Sequence, residues 1–383
     1  MIYKCKGCGS ALRYDMLTGK LLCDTCGSTY EPADYDGILD NESHSYETME
    51  QKIYTCNACG AKLMINDVEA ASFCAYCGQP TIVFDRVSKI RKPDLILPFK
   101  ITKEQARDLI NKKLNGFFIP KDIKDIELDV VRGIYVPFSF SDLEYEDKQI
   151  IKGEVKNGKS SVTRFFYRHA KAKFSFLPVD QSVKFDDESA VRLEPFPKNE
   201  FVPFDASYLS GFYADAGDEA KEDLDMKIKY RAGEVFNKKV EDTVKAGKKV
   251  LYRNNREVNI EQTRYGMLPV WFFACRREEA TYTIMVNGYT GKVVGAVPFD
   301  KVKVAVCATL IGLPLCLLCG TVCGFLFSGV TDLDDDMDAL KLVVAGIVAV
   351  FAAATAKLNK FKRSRKLTME SAIFELAKDR QEV

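Results

Sequence analysis

The chain has 383 residues, 47% hydrophobic and 28% charged, which is ordinary for a folded protein and excludes wholesale disorder. Lysine and arginine total 55 against 54 aspartates and glutamates, so a formal charge of +1 excludes a general polycation for nucleic acid or acidic lipid. A mean hydropathy of -0.14 excludes a polytopic transporter but leaves room for one or two apolar spans, and at roughly 150 residues per domain the length suggests two or three folded units.

Eight of the 13 cysteines fall in the first 80 residues, as four Cys-x-x-Cys pairs. Cys5, Cys8, Cys23 and Cys26 form one block and Cys56, Cys59, Cys74 and Cys77 the other, each cysteine recurring 51 positions later. This is a tandem repeat of a small module. Gly9, Gly27, Gly60 and Gly78 follow the second cysteine of each pair, where a tight turn needs backbone freedom that a side chain would oppose. Two such turns offer four thiolates at tetrahedral angles, a closed site suited to Zn²⁺, with iron or a disulfide pair as the alternatives. The opening Met1-Ile2-Tyr3-Lys4-Cys5 has no apolar signal core, so free thiolates in a reducing compartment are expected. The pattern resembles zinc ribbons of the TFIIB type and is similar to the rubredoxin knuckle. It implies one ribbon over 1–31, an acidic linker over 32–51, a second ribbon over 52–88 and two structural zinc ions. Residues 1–80 hold six basic and eleven acidic side chains, which favours a protein partner over a phosphate backbone for this region.

A central α+β domain with an antiparallel sheet is expected over 93–300. Thr102 to Leu114 reads as a helix with Thr102 as N-cap and Ala106, Leu109, Ile110 and Leu114 on one face. Asp215 to Ala246 reads as a longer helix with a break near Gly233. Strands are expected at Gly133 to Phe140, Gln149 to Val155, Ser161 to Phe176, Lys249 to Asn254, Met267 to Cys275, Ala280 to Asn287 and Lys292 to Val297. Tyr282 to Asn287, Gly288 and Thr290-Gly291-Lys292 make a hairpin with turn glycines in place. Gly133-Ile134-Tyr135-Val136-Pro137-Phe138 resembles Gly266-Met267-Leu268-Pro269-Val270-Trp271, which suggests equivalent strands of two similar halves.

No catalytic set stands out, so catalytic and cofactor-binding residues are expected to be none. Thr290-Gly291-Lys292 has the tail of a phosphate loop, but Val286 stands where the first glycine would be. His44 and His169 are the two histidines and neither has an obvious catalytic companion.

From Val304 to Val330 there are 27 consecutive uncharged residues, enough for a span of about 20. A shorter apolar run, Leu342 to Ala356, lies between Lys341 and Lys357. Together they suggest a two-helix transmembrane hairpin over 303–330 and 340–358. Lys301 and Lys303 before it, an acidic connection, and a basic tail over 359–383 place both termini in the cytoplasm by the positive-inside rule. The expected location is the cytoplasmic membrane. Lys366 to Val383 reads either as an amphipathic helix or as a frayed tail.

The order of ribbons, α+β block with Leu268-Pro269-Val270-Trp271 and Val286 to Lys292, and apolar hairpin resembles the membrane zinc-ribbon proteins encoded beside phage-shock protein A in Gram-positive bacteria. The resemblance implies a non-enzymatic, membrane-anchored adaptor that recruits cytosolic proteins, such as a phage-shock protein A homologue, in an envelope-stress response. The alternative is a membrane-tethered nucleic-acid-binding factor that uses the ribbons as readers, and the sequence is compatible with a homo-oligomer.

Overall fold

The computed structural model describes residues 3–32, 35, 48–65, 74–76, 79, 82–116, 119, 131–157, 160–183, 185, 187–217, 219–277, 280–295, 300, 302–303, 306–307 and 309–310. The first ribbon is a three-stranded antiparallel sheet of β1 (Leu12–Asp15), β2 (Lys20–Cys23) and β3 (Thr29–Tyr30). Among the described residues the other eleven strands form one sheet. They are β4 (Thr48–Cys56), β5 (Lys62–Ile65), β6 (Ile82–Arg91), β7 (Leu95–Ile96), β8 (Arg132–Asn157), β9 (Ser160–Asp180), β10 (Val202–Pro203), β11 (Tyr213–Asp215), β12 (Gly247–Arg277), β13 (Ala280–Asn287) and β14 (Val293–Gly295). The main path runs β10-β7-β12-β8-β11-β5-β4-β6, with β9 on β8 and β13 and β14 beyond β12.

The centre of this sheet is the antiparallel pair β8 and β12. The two Gly-led segments lie opposite each other there, with Gly133 facing Trp271 and Gly266 facing Phe138. The sheet is mixed rather than purely antiparallel, because β11 runs parallel to β8 and β7 parallel to β12. Strands expected as separate pieces are continuous: β8 has 26 residues and β12 has 31. The intervening residues, outside the expected strands, are charged, yet they alternate. Leu143 and Tyr145 are buried on one face, while Glu144 and Glu146 on the other pair with Lys173 and Lys171 of β9. Beyond Asp142 these three strands leave the body as an arm. A double irregularity marks the joint: two residues of β9, Ser175 and Phe176, face the single Asp142, and Glu261 is an extra residue of β12 beside it. Phe176 takes a positive φ of 59°, and its N–H donates to the Asp142 carboxylate at 2.7 Å. The same carboxylate accepts from Arg264 at 2.8 Å.

Three α-helices are described. In α1 (Lys103–Leu114) Thr102 and Gln105 form a capping box, and Ala106, Ile110 and Leu114 are buried as the apolar spacing requires. A short α2 (Asp187–Leu193) packs near the β13–β14 hairpin. The helix α3 (Lys221–Asp242) starts six residues later than expected, because Tyr213 to Asp215 form β11. It is unbroken at Gly233, where a side chain would come within 3.2 Å of the Tyr145 hydroxyl oxygen, so the missing Cβ permits close packing. Ile228, Ala232, Phe236 and Val240, four residues apart, cover Leu143, Tyr145 and Ile151 of the arm.

The expected two-helix transmembrane hairpin requires correction. Among the described residues no helix is long and apolar enough to cross a membrane. The 22-residue α3 has the length but carries twelve charged side chains, and α1 has only 12 residues. The apolar runs suggested spans by length, lack of charge and the charge pattern of their flanks. Except for a few positions before 311, segments 303–330 and 340–358 and the tail 359–383 lie outside the described residues. The two membrane spans as a partner surface, and the inner-membrane location with both termini cytoplasmic that rested on them, fall with this finding. The fold is mostly sheet, with one ribbon docked on it and a second ribbon built into it.

Two candidate metal centres

The first cysteine of each Cys-x-x-Cys pair starts the same turn. The N–H of that cysteine donates to the carbonyl five residues on: Cys5 to Ser10 at 2.7 Å, Cys23 to Ser28, Cys56 to Ala61 and Cys74 to Gln79, each at 2.9 Å. In the first three, the glycine after the pair closes the turn by donating back to the first cysteine carbonyl. Gly9, Gly27 and Gly60 do so at φ of 76°, 74° and 68°, the left-handed region that a side chain disfavours.

The knuckles bring sulfurs together. Cys5, Cys8, Cys23 and Cys26 form one group and Cys56, Cys59 and Cys74 another, with the sulfurs of each group within 4.8 Å of one another. Cys77, the expected fourth member of the second group, lies outside the described residues. Cys5 and Cys26 sulfurs are 3.5 Å apart, Cys8 and Cys23 3.4 Å, Cys59 and Cys74 3.7 Å. A disulfide needs about 2.05 Å, whereas sulfurs at the corners of a zinc tetrahedron with bonds of about 2.3 Å lie ~3.8 Å apart. The groups therefore fit tandem zinc ribbons, and each can hold a metal ion of the zinc type.

The two centres have different surroundings. In the first, Cys5 and Cys23 are buried and Cys8 and Cys26 exposed. Gly7 N–H donates to the Cys5 sulfur at 3.3 Å, and the Tyr30 hydroxyl, 3.3 Å away, pulls the Cys5 thiol down to about 6. Ser28 Oγ lies 3.2 Å from the Cys26 sulfur. The contacts at Cys5 favour its thiolate, the form a metal takes. The ribbon docks on the body: Tyr14 N–H donates to Ser210 O, the Tyr14 and Tyr208 rings are 5.0 Å apart, and Cys5 and Cys23 share a core cluster with Ile96, Tyr135 and Trp271.

The second centre is inside the body. Cys56, Cys59 and Cys74 are all buried and share a core cluster with Leu63, Ile134, Val270 and Phe272. Strand β5 of this ribbon pairs with β11 of the main sheet, Leu63 opposite Asp215 and Met64 opposite Ala214. Tyr76, within the knuckle that starts at Cys74, is 1% exposed and packs edge-on against Phe272 at 5.1 Å. Its hydroxyl donates to the buried Asp215 carboxylate, which also accepts from Ser182 at 2.6 Å and from Gly217 N–H at 3.1 Å. Burial, and then the Asp215 charge, push the Tyr76 phenol well up, so it stays a protonated donor.

The cysteines were legible in the sequence, but Tyr76, Asp215, Ser182 and Tyr30 were not. One signal was available: in the 51-residue repeat Ala75 and Tyr76 stand where the first ribbon has Asp24 and Thr25, an apolar pair in place of a polar one. Of the other residues considered, His169 lies 2.6 Å from Glu146 on an exposed face of the arm, within an ion-pair ladder. His44 lies outside the described residues. Thr290-Gly291-Lys292 belongs to a structural turn. Buried Asn287 accepts there from the Tyr289 and Thr290 N–H groups at 2.9 Å and donates to Leu193 O at 2.9 Å, and Lys292 reaches Glu194 O.

No family model and no solved structure matches the chain. It is 28% identical over 325 residues, covering 79% of its own length and 92% of the relative's, to uncharacterized protein YdjG of Bacillus subtilis strain 168.

Proposed function

We propose that the protein is a non-enzymatic adaptor in which two structural zinc ions, held by Cys5, Cys8, Cys23 and Cys26 and by Cys56, Cys59, Cys74 and Cys77, shape a surface for a protein partner. Closed four-sulfur sites leave no coordination position for a substrate, which supports a structural role for the metals. The observation that carries the reading is the setting of the first ribbon. Leu17, at the tip of the β1–β2 hairpin, is 79% exposed. It overhangs a cleft of about 530 Å³ that runs to the start of α1 and is lined by Met16, Lys103, Arg132 and Phe212 among others. An apolar tip beside a cleft suits a polypeptide. The excess of acidic over basic residues in 1–80 disfavours reading of a phosphate backbone by the ribbons. The resemblance to zinc-ribbon proteins encoded beside phage-shock protein A makes envelope stress the first setting in which to look for the partner.

A photo-crosslinking amino acid at position 17 of the full chain, expressed in its native cells, tests this. A discrete protein adduct is expected from position 17 and not from position 226, an exposed site on α3. The adduct should fall at least tenfold when Cys8→Ser and Cys26→Ser remove two ligands of the first centre. Equal labelling from both positions, or an adduct indifferent to the cysteines, contradicts the reading.

A further inference from the structure

The outer part of the arm has a charge unlike the rest of the chain. Residues 148–168 and 243–256 carry eleven lysines and arginines and one carboxylate, Glu154, in a protein whose formal charge is +1. Part of this charge is used internally: Arg168 donates to Thr243 and Lys249 to Glu241 O, at the C-terminal end of α3. The face turned away from α3 is different. Strand register puts Lys152 between Val250 and Phe165, Ile150 between Arg253 and Tyr167, and Lys148 between Asn255 and His169. Directly opposed residues share a face. Lys148, Lys152 and Arg253 make no ion pair among the described residues.

The same face carries aromatic rings. Phe165, Tyr167 and Tyr252 are 58%, 60% and 65% exposed, and the Phe165 and Tyr252 rings meet edge-on at 5.2 Å. Exposed rings on a flat sheet, flanked by unpaired cations, are costly unless something covers them. Nearer the body the face changes character: Glu144 and Glu146 pair with Lys173 and Lys171, and His169 lies beside Glu146. The basic, aromatic part is thus a bounded patch.

We propose that this patch binds single-stranded nucleic acid, with Phe165, Tyr167 and Tyr252 stacking on unpaired bases and Lys148, Lys152 and Arg253 meeting the phosphates. Charge complementarity requires a polyanion. The rings select a strand with open bases, because a closed duplex offers no base faces to a sheet. Phe165 and Tyr167, two apart on one strand, lie about 6.7 Å from each other along it, close to twice the ~3.4 Å rise per nucleotide. The patch is separate from the ribbons, and its failure would leave the adaptor reading intact.

Fluorescence anisotropy of the full zinc-loaded chain with fluorescein-labelled dT20 and rU20, titrated with salt, tests the proposal. Binding at low salt is expected, with affinity falling on a log–log slope of about -2 for three phosphates. K148E/K152E should weaken it at least tenfold. Each of Phe165→Ala, Tyr167→Ala and Tyr252→Ala should weaken it by about tenfold, whereas Tyr167→Phe should retain it. These side chains are exposed, and unchanged Trp271 fluorescence would verify folding. Absence of binding at low salt overturns the proposal. So does equal, ring-independent binding of heparin and dT20, which would mean nonspecific charge attraction, or ring-dependent binding to phosphatidylglycerol vesicles without binding to dT20, which would make lipid the partner.

Discussion

Cys23-Asp24-Thr25-Cys26 and Cys74-Ala75-Tyr76-Cys77 occupy equivalent places in the repeat, yet Asp24 and Thr25 are exposed while Ala75 and Tyr76 are buried. The turn bond from the first cysteine N–H recurs in all four pairs, so it does not set the difference. The second ribbon joins the sheet through β5 and β11 with Ala75 and Tyr76 in its core cluster, whereas Cys8 and Cys26 of the first ribbon stay at the surface. The same ligand set can therefore serve as an internal staple or as a local clasp on an accessible module.

Several substitutions would break or sharpen this contrast. The largest effect is expected at the second centre. Cys56→Ser should remove a buried ligand from the core cluster and destabilise the whole sheet by on the order of 5 kcal/mol, seen as loss of the cooperative urea transition followed by Trp271 fluorescence. Cys8→Ser should abolish metal binding at the first centre and leave that transition within about 1 kcal/mol. Equal damage from both would erase the distinction.

Tyr76→Phe keeps the ring but leaves Asp215 with one donor fewer in a buried site. A loss of about 1–3 kcal/mol in the same assay is expected. Thr25→Val, at the equivalent exposed position of the first ribbon, should change little.

Acidification should separate the centres as well. The Cys5 thiol sits at about 6 against an ordinary 9.0, so its contribution is complete above the ordinary value and is lost as pH falls through about 6. Tyr30→Phe removes the main cause and should move metal release from the first centre to higher pH, read by a chelating dye across a pH series. The smallest effect is expected away from both centres, where Thr102→Ala should cost about 1 kcal/mol by removing the α1 cap.

Local signals in the sequence were sound where a single element decided the structure. The cap and spacing of α1, the turn at Asn287 and the four knuckles all needed only neighbours in the chain. Length and partnership were harder to read. Charged residues such as Glu144 and Glu146 fell outside the expected strands, because the cations that pair with them lie on another strand. Tyr213 to Asp215 looked like the start of a helix, because their strand partners come from β5 and β8. The apolar runs after 303 were read as membrane helices from length, lack of charge and flanking charges, and the described residues contain no such helix.

The central claim is that two metal centres of one repeat differ in how far they are part of the fold. Metal released from the full chain by a thiol-modifying reagent, followed with a chelating dye alongside the circular dichroism of the sheet, tests it most directly. Two equivalents of zinc should leave in two phases: a fast one with the sheet signal unchanged, absent in Cys8→Ser, and a slow one that coincides with loss of the sheet. Release of both metals in one phase, with the fold intact, would contradict the account.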